Sequence, residues 1–244
     1  MIKAYAKTDV GKVREMNQDY FYISESIDEV QLFILADGMG GYNGGEIASK
    51  MAVETTKNYI LNNFKDIQKD KDSILQLIGS SMEYANMLIY EKSQENIELQ
   101  GMGTTLEIAL IYNNKVYIGH IGDSRIYRLR NNFLRKLTQD HSYVQKLVKE
   151  GTITNEQAEH HPQKNMLMKA LGCNAFVEPD VMTKGFLKDD ILIMCSDGLT
   201  NMVEPLVISK IAKKDIEQAP KDLVKLANDN GGYDNITVIV IKNI

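Results

Sequence analysis

Apolar and polar positions mark out most elements of the chain before any other property is considered. Ile2, Ala4 and Ala6 alternate with Lys3, Tyr5 and Lys7, the two-residue period of a half-buried strand. A polar, irregular stretch follows, and a second strand is predicted over residues 20–24. Leu32-Phe33-Ile34-Leu35-Ala36 is an unbroken apolar run, predicted as a buried strand that stops at Asp37. Glycines crowd the segment from Gly38 to Gly45, where the backbone can turn sharply and approach a ligand closely. From Glu46 the period lengthens, with Ile47, Met51, Thr55 and Tyr59 four apart on one helical face. Amphipathic helices are predicted over 45–64 and 72–95, the second with a buried stripe including Ile74, Ile78, Met82, Ala85 and Ile89.

The second half reads mainly as strands. Leu106–Tyr112 and Lys115–Ile121 flank a turn at Asn113-Asn114. Gly122-Asp123-Ser124 reads as the next turn of the same meander, before Arg125–Arg130 and a turn at Asn131-Asn132. Residues 140–172 carry short helical pieces, two adjacent histidines and few apolar anchors, which predicts a partly mobile flap laid on the main sheet. Strands near 181–187 and 190–195, helices over 205–212 and 219–229, and an apolar strand over 235–241 complete the chain. Repeats, low-complexity tracts and linkers are absent, so a single domain spanning 1–244 is expected. The fold class is α+β, an antiparallel β-sandwich covered by helices, with a flap subdomain.

Composition narrows the function. A hydrophobic content of 43% and a charged content of 25% are ordinary for a soluble globular protein. The net charge of −5, with no basic cluster, gives no electrostatic reason to bind nucleic acid. No apolar run approaches the ~20 residues of a membrane helix, and the N-terminus is too short and polar for a signal peptide. Cys173 and Cys195 lack metal-binding spacing, so both are expected as buried free thiols in a reducing cytoplasm.

The candidate chemistry lies where apolar strands meet acids. Leu35-Ala36-Asp37-Gly38, Ile121-Gly122-Asp123-Ser124, Cys195-Ser196-Asp197-Gly198 and Tyr233-Asp234-Asn235 each put a carboxylate among small residues at a strand end, and Asp19 lies beside a strand start. Any one alone is explained by a turn or a helix cap. Together they imply converging carboxylates, which repel one another unless a cation sits among them. Ligation by oxygen alone selects Mg²⁺ or Mn²⁺ over Zn²⁺.

With those residues in view, the sequence resembles the metal-dependent Ser/Thr protein phosphatases of type 2C in their bacterial form. The resemblance spans essentially the whole chain. It rests on Thr8-Asp9-Val10-Gly11 with Arg14 and Asn17-Gln18-Asp19, on Asp37-Gly38-Met39-Gly40-Gly41, on Gly103-Thr104-Thr105 and on Gly122-Asp123-Ser124-Arg125. Ser196-Asp197-Gly198, Asp234-Asn235 and the flap from His161 to Gly172 complete it. It implies a β-sandwich flanked on both sides by helix pairs, with a two-metal centre at one end. Asp37 is then expected to bridge both metals, with the Gly38 carbonyl on the second. Asp197 and Asp234 complete the first, and Asp19 stands in its outer shell. Asp123 and Asp197 would hold a weaker third cation, and Arg14 would grip the substrate phosphate. The implied partners are phosphorylated Ser/Thr proteins and a cognate Ser/Thr kinase with its substrates, and the expected state is a cytoplasmic monomer.

The chain departs from the family pattern in one respect that matters. Animal members place His directly after the Asp-Gly pair as a proposed general acid, and here that residue is Met39. Some bacterial relatives place His where this chain has Tyr42. His120 reads as structural, His141 as a group near the metal site, and His160 and His161 lie on the flap, so the proton donor stays open. A nucleotide-binding reading fails because the glycine-rich segment lacks GK[ST] and has Asn43 where a GxGxxG fingerprint needs its third glycine. A non-catalytic phosphoprotein-binding regulator would be expected to lose a metal carboxylate, whereas Asp37, Asp197 and Asp234 are present. A phosphatase dedicated to a partner-switching pathway is the remaining alternative to a general antagonist of Ser/Thr kinases.

Overall fold

The computed structural model describes residues 1–25, 30–95 and 97–244, and of Gly41, Tyr42 and Asn43 only the backbone. Two antiparallel sheets face each other. The first has β1 (Ile2–Asp9) at its edge, then β11 (Ile236–Asn243), β10 (Ile191–Cys195), β7 (Arg125–Arg130) and β8 (Phe133–Lys136). The second runs β2 (Asp19–Ile23), β3 (Gln31–Met39), β5 (Leu106–Tyr112), β6 (Lys115–Ile121) and β9 (Asp180–Gly185), with the short β4 (Gly103–Thr104) paired to the end of β3.

The unbroken apolar run of β3 reflects burial on both faces. Phe33 and Leu35 point between the sheets, into a core with Ala109, Ile118, Leu192, Met194 and Ile239. Leu32, Ile34 and Ala36 point outward, against α1 (Gly41–Asn63) and α2 (Lys71–Glu95) through residues such as Ala48, Ala52, Ile78 and Met82. On the far side, Ile193, Val238 and Val240 pack against α6 (Pro205–Lys214) and α7 (Ala219–Asp229) through Ile208, Leu223 and Val224. Helix pairs therefore cover both sheets, as expected. The flap segment carries α3 (Tyr143–Lys149) and α4 (Asn155–Glu159), with Ser142 and Thr154 capping their first turns. One isolated bridge joins the two ends of the flap, Ser142 to Leu167, and another ties its end back to the body, Thr104 to Leu171.

Several expectations need correcting. β3 does not stop at Asp37 but continues to Met39, because β4 pairs with Gly38 and Met39. α1 starts at Gly41, four residues before the predicted start at residue 45. The glycines there serve close packing, against backbone and side chain alike: a Cβ on Gly38 would lie 2.0 Å from the Gly45 carbonyl oxygen, and one on Gly44 would lie 2.8 Å from Met102 Cβ. Asn131 and Asn132 turn as predicted, with φ of 48° and 68°, but the turn leads into the edge strand β8, which the sequence pattern did not reveal. Cys173 is exposed rather than buried, whereas Cys195 is buried. Most consequentially, Gly122-Asp123-Ser124 is not a meander turn. β6 and β7 belong to different sheets, so these three residues carry the chain across the end of the sandwich.

Candidate active site

At that end β3 leaves its sheet, β10 stops, and β2 and β11 begin. In register, Asp19 and Asp37 stand opposite each other across β2 and β3. A pocket of about 770 Å³ opens here, lined among others by Arg14, Asp37, Gly38, Asp123, Asp197 and Asp234. These are six of the seven residues predicted from sequence. The seventh, Asp19, is 7% exposed and lies behind the wall.

Each acid is held by neighbours of a different kind. Asp37 is fixed through its backbone. Its N–H donates to Thr105 Oγ1 at 3.0 Å, and its carbonyl accepts from the Thr105 N–H and from Thr104 Oγ1, both at 2.9 Å. Thr105 Oγ1 also lies 2.9 Å from Ser124 Oγ, which joins the Asp37 strand to the Asp123 crossing. Gly122 is required at that crossing: its φ is +111°, and a Cβ would sit 2.5 Å from Thr105 Cγ2.

Asp19 is held through its side chain. Oδ2 accepts from Ser196 Oγ at 2.8 Å and Thr237 Oγ1 at 2.6 Å. Thr237 spends its only proton on Asp19, so Thr8 Oγ1, 2.7 Å away, must donate to it, and Asn17 Nδ2 donates in turn to Thr8. The hydroxyl chain is thereby oriented toward the carboxylate.

Asp197 opens the short helix α5 (Asp197–Thr200), an element the apolar pattern had not marked, and its Oδ2 accepts from Asn201 Nδ2 at 3.0 Å. The following glycine is forced by packing, since a Cβ on Gly198 would lie 2.0 Å from the Asn235 carbonyl oxygen. Asn235 pins the loop between β1 and β2. Its Nδ2 donates to the carbonyls of Val10 and Met16, and its Oδ1 accepts from the Gln18 N–H. That loop brings in Arg14, whose guanidinium, 55% exposed, donates to Asp234 Oδ2 at 2.8 Å.

Burial is the leading influence on Asp19, Asp37, Asp123 and Asp197, and repulsion from neighbouring acids adds to it. Asp19 is pushed up to about 7 by burial, against the pull of the Thr237 and Ser196 hydrogen bonds. Asp37 is raised well above the usual range by burial and then by Asp19, Asp197, Asp123 and Asp234. Asp123 reaches about 7 and Asp197 about 6, again by burial first and a neighbouring acid second. Arg14 is raised by its hydrogen bond to Asp234, with smaller contributions from Asp197 and Asp37.

The donor set suits a hard divalent cation. It is all oxygen, and two of its buried atoms, Asp19 Oδ1 and Asp197 Oδ1, have no hydrogen-bond partner. Among the described residues no three His, Cys, Asp or Glu side chains are drawn together as a ready coordination shell. The like-charged acids are instead parted onto protein partners: Ser196 and Thr237 for Asp19, Asn201 for Asp197, and Arg14 for Asp234.

The histidines fall where the sequence suggested, with more structure than expected. His120 is fully buried, paired with Glu107 through Nδ1, and it donates from Nε2 to the Gln139 carbonyl at 2.8 Å. Burial lowers its pKa, but Glu107, the Gln139 carbonyl and Asp180 together outweigh burial and raise it to about 9. His141 stacks on it and touches the Asp123 crossing through Gly122. His160 and His161 do not line the pocket, and the side chain of Tyr42 lies outside the described residues. Thr105, Asn235, Ser196 and Thr237 are the site-building residues to which sequence reasoning gave no role. Thr105 lies in the Gly103-Thr104-Thr105 motif, and Asn235 and Ser196 lie within the motifs around Asp234 and Asp197, whereas Thr237 carries no signal beyond its place in a strand.

A family model described as protein phosphatase 2C matches residues 11–214. The protein phosphatase PhpP of Streptococcus pneumoniae is 40% identical, covering 96% of this chain and 94% of its own length. The serine/threonine phosphatase stp of Listeria monocytogenes serotype 4b (strain F2365) is 37% identical, over 97% of this chain and 94% of its own. A solved structure of the catalytic domain of serine threonine protein phosphatase PstP, in complex with two manganese ions, superposes with a TM-score of 0.87. It is 33% identical and covers 99% of this chain and 97% of that one.

Proposed function

The chain belongs to the protein phosphatase 2C family, and from that premise we propose that it removes phosphate from phosphoserine and phosphothreonine in proteins, opposing a cognate Ser/Thr kinase. The observation that carries this reading is the set of carboxylates from separate elements at one pocket, with a single arginine at its rim.

When bound, Mg²⁺ or Mn²⁺ supplies a more acidic water and positive charge that offsets the charge of the phosphate. Asp37, with the Gly38 carbonyl, Asp197 and Asp234 would hold two such ions, and Asp123 with Asp197 a weaker third. Asp19 acts from behind, keeping Ser196 and Thr237 in place through its Oδ2. Arg14 is mostly exposed and bound through one nitrogen, so its remaining donors can meet two phosphate oxygens as a fork. Thr104 and Thr105 hold the Asp37 backbone from both sides, so this acid keeps its direction during turnover. Which group protonates the leaving oxygen is a separate matter, because Met39 cannot.

The reading extends to a single catalytic domain working as a cytoplasmic monomer. It is supported by two cysteines that form no disulfide and by the net charge of −5. Among the described residues no helix is long and apolar enough to cross a membrane. The test is turnover of a phosphothreonine peptide with Mn²⁺, with EDTA, and against a phosphotyrosine control. Metal-dependent turnover of phosphothreonine alone is expected. Full rate in EDTA, or equal rates on both peptides, would overturn it.

A further inference from the structure

We propose that His141 is a positioning residue for Asp123, holding the Gly122–Asp123 crossing in place and tying it to the flap; the inference rests on the reading of Asp123 as a member of the metal site. Residue 141 grips Gly122 at both ends of its backbone. The His141 N–H donates to the Gly122 carbonyl at 2.7 Å, and the Gly122 N–H donates to His141 Nδ1 at 3.1 Å. Thr105 closes the space beside it, since a Cβ on Gly122 would lie 2.5 Å from Thr105 Cγ2. The residue that carries the Asp123 carboxylate thus follows directly on one whose N–H and carbonyl are both held by His141.

The ring that supplies the clamp is itself fixed. Because Nδ1 accepts from Gly122, the ring proton sits on Nε2, which lies 3.4 Å from Asp180 Oδ2. The ring stacks on His120 with centroids 4.6 Å apart, and His120 is locked by Glu107 and the Gln139 carbonyl. A side chain that merely filled space would need neither the nitrogen aimed at a backbone N–H nor a locked partner. Hydrogen-bonded partners of this kind orient metal ligands elsewhere in proteins.

The same residue, at the start of the flap, holds the flap's far end. The His141 carbonyl accepts from the Met168 N–H at 2.7 Å, and the Tyr143 N–H donates to the Met166 carbonyl at 2.8 Å. Ser142 bridges to Leu167, and Leu167 and Asn165 line the pocket. A peptide pressing on that stretch would therefore act on Asp123 through one residue.

The experiment compares His141→Asn with His141→Gln. An Asn oxygen can take the place of Nδ1, whereas a Gln oxygen reaches only the place of Nε2. We expect His141→Gln to lower kcat on a phosphothreonine peptide about 10-fold or more with KM little changed. Calorimetric Mn²⁺ titration should show loss of the weakest binding event and retention of the tight ones. Gly122 amide exchange should accelerate, and His141→Asn should restore all three readouts. Equal behaviour of the two variants, impaired or normal, would overturn the inference. Should either variant fail to fold, the wild type decides, since an N–H···N bond gives a scalar coupling between Gly122 N and His141 Nδ1. Absence of that coupling is fatal to the proposal. Wild-type enzyme inactive on the peptide with Mn²⁺ would refute the phosphatase reading, whereas active wild type with a normal His141→Gln would refute only the role of His141.

Discussion

Two clusters of ionisable side chains meet at one end of the sandwich, only two residues apart along the chain at Asp123 and Arg125, and they are built on opposite rules. At the pocket, Asp37, Asp123, Asp197 and Asp234 come together with Asp19 just behind the wall, and Arg14 is the cation hydrogen-bonded to one of them. Behind it, charges alternate. Arg125 gives Asp140 contacts of 3.1, 3.1 and 2.7 Å, Lys136 adds one at 3.1 Å, and Glu107 pairs with His120. Burial pushes carboxylate pKa values up in both places. In the pocket like charges add to it, and four acids end above their usual range. At Asp140 burial is outweighed by Arg125 and Lys136, and the pKa falls below 3.8, whereas at Glu107 burial outweighs the pull of His120 and the pKa rises to about 7. A cluster that only holds the fold closes its own charges. One that leaves negative charge over is arranged for something from outside.

Removing the central acid should break the comparison most completely. Asp37→Ala is expected to lower turnover with saturating Mn²⁺ by more than ~100-fold, beyond the range typical of an outer-shell partner. The conservative Asp37→Asn should do the same, yet melt higher than wild type in EDTA, because it removes one of several mutually repelling charges. Circular-dichroism melts in chelator and initial rates in Mn²⁺ measure the two effects. A variant both active and less stable would put Asp37 in the structural class.

Asp123 comes next. If it helps to hold a third cation, Asp123→Asn should keep the fold and the tight metals but lose roughly 100-fold on phosphothreonine peptides, the low end for lost help to a leaving group. The loss should be smaller on aryl phosphates, whose leaving groups need less help. The change from turn to sheet crossing sharpens this test, since Gly122, not Asp123, carries the strained backbone. Mn²⁺ titrations that coincide for wild type and variant would return Asp123 to a structural role. Arg14→Ala should cost less, about 10- to 100-fold in kcat/KM, the worth of a charge-assisted hydrogen-bond pair to phosphate. Mn²⁺ affinity, read by calorimetry, should barely move. Metal release would mean that Arg14 chiefly organises Asp234.

The difference between the clusters also explains what the sequence could reveal. An acid after an apolar strand is visible in one dimension, and six of the seven predicted residues line the pocket. The paired sheets and covering helices were legible because their stripes are long, as in Leu32–Ala36 and along α2. β8 was not, because it is four residues long, at an edge, with Phe133 exposed and Arg135 and Lys136 in it. Nor was the sheet crossing at Gly122-Asp123-Ser124, since β6 and β7 look the same whether they pair with each other or not. The counter-charged cluster was invisible for a deeper reason. Arg125 and Asp140 are fifteen residues apart with no periodic relation, and only the fold makes them partners.

The smallest effect on catalysis, and the sharpest on stability, concerns that cluster. Asp140 is 8% exposed and Arg125 about a quarter exposed, so Asp140→Asn would leave a cation partly buried without its counter-charge. Breaking a fully buried pair costs about 3–5 kcal/mol. The exposure of Arg125 discounts this toward about 2 kcal/mol. The pH dependence follows from the direction of the Asp140 shift. Its folded pKa lies below 3.8, so the stabilisation is fully present above that value and is lost as pH falls through the folded pKa. The gap in unfolding free energy between wild type and Asp140→Asn should therefore stay level from about pH 5 to pH 8 and close below about pH 4. Urea titrations across that range, with Mn²⁺ held constant, measure it directly. A gap that widens toward acid pH would mean that Asp140 is held above its usual range like the acids of the pocket, and the two clusters would no longer differ in kind.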